Sequence, residues 1–457
     1  MESIVTGNFE AIHTLWNECI AVLTFQGGMN TNLVLIGTSL LGIAGGVIGT
    51  ISILRKRALM ADTIAHCTLP GLALGFLFGT LIGIGEKNLP LLLIGASITG
   101  LVGALVVQWI VNHSRIHEDT AIGATLSSFF GLGIVLISII QAQEAVESGG
   151  LNQFIFGQTA SLNYDDARLL LLITGIVTLG ALLPLKEMRL LCFDEGFARS
   201  NGWPVAGLDL YIMALLVLVT VAGLHAVGVL LIVSLLIIPP AAARYWTDRL
   251  SIMITVSALI GGCSGFIGSA LSALLPRLPA GAVITLTTGA FFLLSLTFAP
   301  KRGLLAMLLT QAKLRLRIVR DHVLREAIEP NMGERNDIAS LEGVLILYKS
   351  LSVSNDWSPL YRMMISILMT FSGLSQFDRD GIRLTKKGLS LARERVRSHQ
   401  LWEAYLSEHA ELPESHLDLS ADYVEHFISS DILSKLEKNL EEPAMPEGKK
   451  QTQREEV

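Results

Sequence analysis

A carboxylate and an imidazole stand four residues apart near the start of a long apolar segment. Asp62 and His66 belong to the stretch ADTIAHCTLPGLALGF, residues 61–76. Side chains at this spacing share one face of a helix, so a helix here would present both groups together. Ionisable side chains in a membrane-spanning segment are costly and commonly mark an ion or proton path. The competing interpretation is structural: Asp62 caps the helix at the membrane interface, and His66 hydrogen-bonds inside a helix bundle.

The chemistry of this pair suits a divalent metal ion. Imidazole and carboxylate together are ligands that manganese, iron and zinc all accept, so the pair alone leaves the metal open. A site through which an ion passes must also release it, and a site with few ligands permits release. The pair therefore suits a path for a metal ion, while the residues alone leave a proton path open.

The composition separates a membrane-embedded part from a water-soluble part. The chain has 457 residues, of which 51% are hydrophobic and 16% charged, whereas soluble domains contain about 25% charged residues. Apolar segments follow one another from residue 32 to 299, and the composition from 301 to 457 is ordinary. We therefore expect one domain in lipid and one in water.

Nine segments are apolar and long enough to cross a bilayer, which takes about 20 residues. They cover residues 32–54, 62–84, 89–111, 120–140, 167–184, 208–224, 226–243, 250–275 and 281–299. The sixth and seventh are separated only around residues 223–225, so a single bent span there would reduce the count to eight. The basic run 55–57 predicts a cytoplasmic first loop, and nine spans place the later basic loops and the tail on that side.

One loop of the membrane part mixes aromatic and charged side chains. Residues 190–207 read LLCFDEGFARSNGWPVAG. A short amphipathic helix that lies against a cytosolic partner has this composition, whereas a plain solvated connector needs fewer aromatic residues.

The membrane half resembles the permease subunits of ABC importers for manganese, zinc or iron(II). Four stretches carry the resemblance: LRKRALMADTIAHCTLPGLALG (54–75), HEDTAIGATLSSFFGLGIVLIS (117–138), FDEGFARSNGWPV (193–205) and VGVLLIVSLLIIPPAAARYWTDR (227–249). The resemblance implies a multi-pass protein of the bacterial inner membrane. It also implies three kinds of partner: a second permease subunit in a dimeric pore, two cytosolic ABC ATPase subunits, and an extracytoplasmic metal-binding protein.

The resemblance also assigns roles to residues. It places Asp62 and His66 in the metal path, and it makes residues 193–205, here called the docking segment, the contact with the ATPase. The residues of that segment expected to matter are Phe193, Asp194, Glu195, Arg199 and Gly202. The chain contains no GxxxxGK[ST] phosphate-binding sequence, so we expect ATP hydrolysis in a separate subunit and no enzyme activity here. A proton-coupled carrier is disfavoured by the docking segment.

The tail has the order of elements found in a winged helix. Residues 311–327 predict a basic helix that the segment 330–333 ends. Helical apolar spacing follows at 341–351 and 358–371, and residues 373–385 predict a hairpin around an Asp-Gly turn. A long amphipathic helix is predicted for residues 386–406.

Two groups of candidate metal ligands follow in the tail. His399 and Glu403 are four residues apart, and the second group contains Asp422, Glu425 and His426. The sequences GIRLTKKG, RSHQLWEAYL and ADYVEHFISSDIL resemble the metal-dependent repressors of the diphtheria-toxin-repressor type. That resemblance makes these five residues the ligands of a regulatory metal, with His416 and Asp418 as further candidates. A carboxylate at position 422 favours Mn2+ or Fe2+ over a thiolate-type Zn2+ site. The alternative interpretation of these candidate ligands is structural: they form a solvated helix face.

DNA binding by the tail is less well supported by its charges. The candidate recognition helix 358–371 has Arg362 as its only charged residue, although duplex binding normally needs several phosphate-neutralising cations. Arg379, Arg383, Lys386 and Lys387 would supply some of these. Two hypotheses therefore stand: the tail represses uptake genes by binding promoter DNA, or it gates or scaffolds the transporter without touching DNA.

We therefore predict an all-α polytopic membrane domain of about nine transmembrane helices, followed by a mainly α cytosolic domain with a winged-helix-like portion. The domain boundaries are 1–303 for the permease, 304–335 for a basic linker helix, 336–440 for the repressor-like domain, and 441–457 for a disordered end. The predicted function is ATP-driven import of Mn2+ or Fe2+, with Zn2+ as the alternative, together with metal sensing by the tail.

Overall fold

The computed structural model describes residues 20–22, 24–26, 28–82, 89–142, 162–275, 278–332, 345–347, 367–377 and 381–409. The chain divides into two compact units, Met1–Met307 and Leu308–Val457. In the described part of the first unit the helices are α1 (Met29–Leu54), α2 (Met60–Ile82), α3 (Leu89–His113), α4 (Glu118–Gln141), α5 (Tyr164–Leu182), α6 (Leu185–Phe193), α7 (Glu195–Ser200), α8 (Val205–Val227), α9 (Val229–Trp246), α10 (Leu250–Leu274) and α11 (Ala280–Phe298).

Eight of these helices are long and apolar enough to cross a membrane, namely α1 to α4 and α8 to α11. Helices α5 and α6 pass the same test only as a pair, and they are bent by 64° at their junction. The bend falls at Pro184, which precedes α6 and cannot continue the hydrogen-bond ladder of α5. The described residues thus contain eight spans, or nine if the bent pair is one span, and the predicted helical membrane domain is confirmed.

The sixth and seventh predicted spans, residues 208–224 and 226–243, correspond to two separate helices. Helix α8 ends at Val227 and α9 begins at Val229. Gly228 between them has φ +84°, a left-handed conformation that glycine adopts without strain. The uncertainty in the number of spans therefore lies at the α5–α6 bend and not at residues 223–225.

Close backbone contacts at small residues hold the spanning helices together. Helix α1 packs against α5, α9 and α10, and α2 packs against α3 and α4. A Cβ atom on Gly42 would clash with the carbonyl oxygen of Gly261, and one on Gly71 would clash with that of Gly95. Small residues at such points let helices approach closely in lipid, where no hydrophobic effect drives them together.

The second unit begins within a long helix and continues into a small sheet. Helix α12 (Leu304–Met332) starts earlier than predicted and ends within the predicted break. Strands β1 (Leu345–Leu347), β2 (Ser375–Phe377) and β3 (Gly381–Leu384) form an antiparallel sheet in the order β1-β3-β2.

The predicted hairpin is present, because Ser375 pairs with Leu384 across β2 and β3. Helix α13 (Lys386–His409) confirms the predicted amphipathic helix, and residues 367–371 are helical as expected. The helix predicted over 341–351 is wrong at residues 345–347, where Leu345 pairs with Arg383. A short apolar run has no distinctive period, and here pairing with β3 decides its conformation.

Candidate functional site

The structure brings Asp62 and His66 together on one face of α2. Asp62 lies in the first turn of the helix, where the helix dipole favours a negative charge. The Nε2 atom of His66 is 3.5 Å from Oδ1 of Asp62. The side chains are 25% exposed for His66 and 37% for Asp62. Both groups are thus accessible to an ion while remaining part of a membrane helix.

The orientation of His66 is set by an aromatic neighbour. Phe130 on α4 meets the imidazole edge-on, with ring centroids 5.0 Å apart and planes at 83°. The Nδ1 atom of His66 is buried and has no hydrogen-bond partner among the described residues. A buried ring nitrogen without a partner costs free energy that a bound ligand would recover.

The pair supplies only two donor side chains. Among the described residues no group of three or more His, Cys, Asp or Glu side chains is arranged to hold a metal ion. Within the described part of one chain, Asp62 and His66 therefore offer two donor groups.

The docking segment is a short exposed helix with a cap at each end. Oδ1 of Asp194 accepts a hydrogen bond of 2.9 Å from the backbone N–H of Phe197 at the start of α7. Gly202, with φ +79°, follows the helix and turns the chain towards α8. Phe193 and Phe197 both expose more than half of their side chains. This exposed apolar surface is what a contact with a protein partner requires.

A buried ion network that sequence reasoning missed lies behind the docking segment. Asp209, near the start of α8, is 5% exposed. Its Oδ2 accepts a hydrogen bond of 2.8 Å from Nη2 of Arg55 and lies 3.6 Å from Nη1 of Arg57. Nη1 of Arg55 donates to Oε2 of Glu195 at 3.1 Å, and Nε of Arg57 donates to Oε1 of Glu118 at 2.6 Å.

The charges in this network stabilise one another. Burial lowers the pKa of Arg55, but the neighbouring carboxylates of Asp209 and Glu195 outweigh it and raise the pKa above its ordinary value. Burial raises the pKa of Glu195, but hydrogen bonds and charge from Arg55 and Arg199 outweigh it and hold the pKa below its usual range. A signal was present in the sequence: a lone carboxylate near the start of an apolar span, with a basic run to pair with it.

A second carboxylate–imidazole pair joins two helices of the membrane unit. Nε2 of His225, in the last turn of α8, is 3.3 Å from Oδ1 of Asp166 in the first turn of α5. Both side chains are largely buried, at 11% and 18% exposure. In contrast to Asp62 and His66, this pair links the end of one helix to the start of another, which is a packing role.

In the tail, the predicted metal ligand His399 is buried and contacts an arginine. His399 on α13 is 2% exposed, and its Nδ1 is 2.9 Å from Nη1 of Arg325 on α12. A guanidinium can only donate, so Nδ1 accepts and the proton of the neutral ring is on Nε2. One helical turn before each partner, the buried Asp321 of α12 lies 3.5 Å from Arg395 of α13. Two contacts in register therefore join α12 to α13.

The other predicted tail residues are only partly described. Glu403 lies one turn beyond His399 on α13, while its side chain falls outside the described part of the structure. Also outside it are Asp422, Glu425, His426, His416, Asp418, Arg362 and Arg379. Of the predicted DNA contacts, Arg383 on β3 and Lys386 and Lys387 at the start of α13 are exposed. These three cations lie within five residues of chain at one edge of the hairpin.

Family models match both halves of the chain. Residues 29–299 match the ABC 3 transport family. Residues 385–452 match the iron dependent repressor, metal binding and dimerisation domain. The second match covers α13 and the two groups of candidate ligands in the tail.

Individual relatives extend this similarity. The manganese transport system membrane protein MntC of Bacillus subtilis (strain 168) is 37% identical over 395 residues, which are 86% of this chain and 87% of that protein. The zinc transport system membrane protein TroC of Treponema pallidum (strain Nichols) is 37% identical over 275 residues, 60% of this chain and 91% of that protein. Among solved structures, PsaBC from Streptococcus pneumoniae in complex with Fab matches with a TM-score of 0.53 and 32% identity, over 64% of this chain and 97% of that chain.

Proposed function

Because the chain belongs to the ABC 3 transport family, we propose that it carries Mn2+ or Fe2+ across the membrane, with Zn2+ as the alternative cargo. It is a multi-pass metal permease with a repressor-type metal-binding domain. The observation that carries the proposal is the pair of Asp62 and His66, 3.5 Å apart on one face of a membrane helix. Similarity to a manganese and a zinc transport protein supports a divalent ion as the cargo.

The pair would act as a weak transit site. The carboxylate attracts the cation, and the imidazole, held edge-on by Phe130, offers a nitrogen ligand. Two ligands in one permease, doubled by a second permease subunit in a dimeric pore, would give four. Such a site binds an ion without trapping it.

Energy for transport would come from partners. The exposed docking segment is proposed to contact cytosolic ABC ATPase subunits, through Phe193, Asp194, Glu195, Arg199 and Gly202. An extracytoplasmic metal-binding protein would deliver the ion to the other side of a bacterial inner membrane. The chain itself would hydrolyse no ATP, and its tail would lie in the cytoplasm.

The experiment that tests the transport proposal uses the permease with its cognate ATPase and its extracytoplasmic metal-binding protein in proteoliposomes. We expect uptake of radioactive Mn2+ that requires hydrolysable ATP and that excess Fe2+ suppresses more strongly than excess Zn2+. Stronger suppression by Zn2+ would make zinc the cargo. Equal uptake without the ATPase would contradict an ATP-driven importer and favour a secondary carrier.

For the tail, we propose a metal sensor built around His399. The ligands would be His399, Glu403, Asp422, Glu425 and His426, and a carboxylate-rich set with imidazoles fits Mn2+ or Fe2+. The bound ion would supply a positive charge that draws these side chains together. His399 fits this role as a buried imidazole whose accepting nitrogen faces a displaceable side chain, Arg325.

Two outputs are open to such a sensor. Repression of uptake genes needs DNA contacts, for which the exposed Arg383, Lys386 and Lys387 are candidates. Gating of the transporter is favoured by a different observation: α12, which contacts His399 through Arg325, begins at Leu304, six residues after the end of α11. In the chain, α12 is thus the next helix after the last span, and it carries the arginine that contacts His399.

A gel-shift separates these outputs. The full chain in detergent is incubated with DNA of its own promoter, with and without Mn2+. A metal-dependent shift that excess unrelated DNA does not remove would support repression. Absence of a shift, together with a metal-dependent change of ATPase activity in the DNA-free transporter, would support gating.

A further inference from the structure

We propose that Asp209 is a positioning residue that couples the docking segment to the helix carrying Asp62 and His66. The inference rests on the proposed function, because it takes residues 193–205 as the contact with the ATPase. Asp209 is buried and belongs to α8, and its Oδ2 lies close to two arginines, at 2.8 Å from Arg55 and 3.6 Å from Arg57.

The first half of the connection leads from the docking segment to Asp209. Arg55, which follows the last residue of α1, donates from Nη1 to the carbonyl oxygen of Leu191 at 3.0 Å and to Glu195 at 3.1 Å. Its Nη2 donates to Asp209 at 2.8 Å. Leu191 belongs to α6 and Glu195 to α7, so one guanidinium ties both helices around the docking segment to α8. Movement of that segment can therefore reach Asp209 through the Arg55 side chain as well as along the backbone of α8.

The second half leads from Asp209 to the metal-path helix. Arg57 lies 3.6 Å from Asp209 and donates to Glu118, the first residue of α4, at 2.6 Å. The backbone of Arg57 is fixed as well, because its carbonyl oxygen accepts from the backbone N–H of Met60 at 3.1 Å and from the hydroxyl of Ser52 at 2.8 Å. Met60 begins α2, so Arg57 lies at the start of the helix that carries the metal pair.

A shared carboxylate suits coupling because both arginines depend on it. If one guanidinium moves away, the other becomes the main counter-charge of the buried Asp209 carboxylate, so the positions of the two arginines are linked electrostatically. The network borders a polar cavity of about 450 Å³, whose lining includes Lys56, Gln108 and Asn112. This space permits the side chains to rearrange without opening the apolar core. Two alternating arrangements of one network are what a coupling element needs.

The test compares uptake with hydrolysis in the same vesicles. The permease and its cognate ATPase are reconstituted, the extracytoplasmic metal-binding protein is supplied, and radioactive Mn2+ uptake and phosphate release are measured together. For Asp209→Asn we expect the ATPase to stay bound and to hydrolyse ATP, while Mn2+ taken up per ATP falls about tenfold, which lies within the range for coupling residues. Asp248→Asn is the matched control, because Asp248 forms an exposed ion pair with Arg302 at 2.6 Å outside this network. The control should keep the wild-type ratio.

Several outcomes would overturn the inference. An unchanged uptake-to-hydrolysis ratio in Asp209→Asn would do so, as would loss of uptake and hydrolysis in equal proportion, since a purely structural residue behaves that way. Glu195→Gln keeps the inference testable if Asp209→Asn does not fold, because Glu195 is 39% exposed and its replacement leaves Asp209 and both arginines of the network in place. Retained ATP hydrolysis in the same vesicles would show that the ATPase still docks, although Glu195 also pairs with Arg199. We expect the ratio of Mn2+ uptake to ATP hydrolysis to fall about threefold for this variant, and an unchanged ratio would contradict the coupling role.

Absence of ATP-dependent uptake in wild-type vesicles would instead overturn the proposed function itself.

Discussion

The two histidines proposed as metal ligands meet partners of opposite charge. His66 lies 3.5 Å from the carboxylate of Asp62 on the same helix. His399 lies 2.9 Å from the guanidinium of Arg325, which belongs to a different helix. A carboxylate adds a ligand beside the imidazole, whereas a guanidinium uses the lone pair that a metal would need. The first arrangement is ready for an ion, and the second must rearrange before it binds one.

The two histidines also differ in how deeply they are buried. His66 is one-quarter exposed and His399 almost fully buried. An ion in transit needs quick entry and exit, while a regulatory ion needs a site whose occupancy changes the structure around it. Displacing Arg325 would break a contact that joins α12 to α13. The difference teaches that the charged partner of a histidine, here a carboxylate or a guanidinium, is more informative about the proposed role than the presence of a histidine alone.

The largest expected effect is on the transit pair. Asp62→Asn and His66→Gln each remove one ligand without changing side-chain size greatly. Loss of outer-shell partners already costs 10- to 100-fold at metal sites, so we expect Mn2+ uptake to fall about 100-fold. Radioactive uptake into proteoliposomes measures this.

His113→Gln is the matched control, since His113 is an exposed histidine in the last turn of α3. Near-normal Mn2+ uptake in Asp62→Asn or in His66→Gln would place the metal path elsewhere. His66 could then no longer be compared with His399 as a metal ligand.

In the tail, we expect a substitution that raises metal affinity instead of lowering metal uptake. Arg325→Gln removes the guanidinium that uses the Nδ1 lone pair of His399. A charge-assisted hydrogen bond contributes about 1.5–3 kcal/mol, so metal affinity at this site should rise about tenfold. Mn2+ titration followed by electron paramagnetic resonance measures it, using full-length protein that also carries His66→Gln to suppress the transit site.

Arg317→Gln, an exposed arginine two turns earlier on α12, should leave the affinity unchanged. His399→Gln should abolish the binding. Weaker binding in Arg325→Gln would show that the guanidinium supports the site instead of competing with the metal.

The smallest expected effect concerns the orientation of His66. Phe130→Leu keeps an apolar side chain but removes the edge-on ring contact. Such aromatic contacts contribute about 0.5–1.5 kcal/mol, so we expect uptake to fall about threefold, with little loss of protein stability. Uptake as low as in His66→Gln would mean that Phe130 closes the path itself.

Much of this architecture follows from sequence periodicity and composition. Runs of apolar residues locate the spanning helices, and the four-residue spacing of Asp62 and His66 by itself places the two side chains on one helix face. The Asp-Gly turn locates the hairpin of β2 and β3. Each of these signals is local, so neighbouring residues in the chain suffice to predict it.

The contacts that distinguish the sites are not local. Arg55 and Asp209 are 154 residues apart, and Arg325 and His399 are 74 apart, so no helical period connects them. The strand at 345–347 reads like part of a helix because three apolar residues fit either structure, and only its pairing with β3 decides. Pro184 indicates a helix break from its residue type alone, but the 64° angle of the bend depends on packing.

The unbroken course of α12 bears on whether the tail could ever leave the membrane as a free protein. The helix contains 29 residues, which corresponds to a length of about 43 Å. Proteases cut preferentially at exposed loops, and a helical backbone has its amide groups in internal hydrogen bonds. Cleavage between Leu304 and Met332 would therefore require α12 to unwind first, so a protease that cuts within these residues acts on a locally unfolded helix.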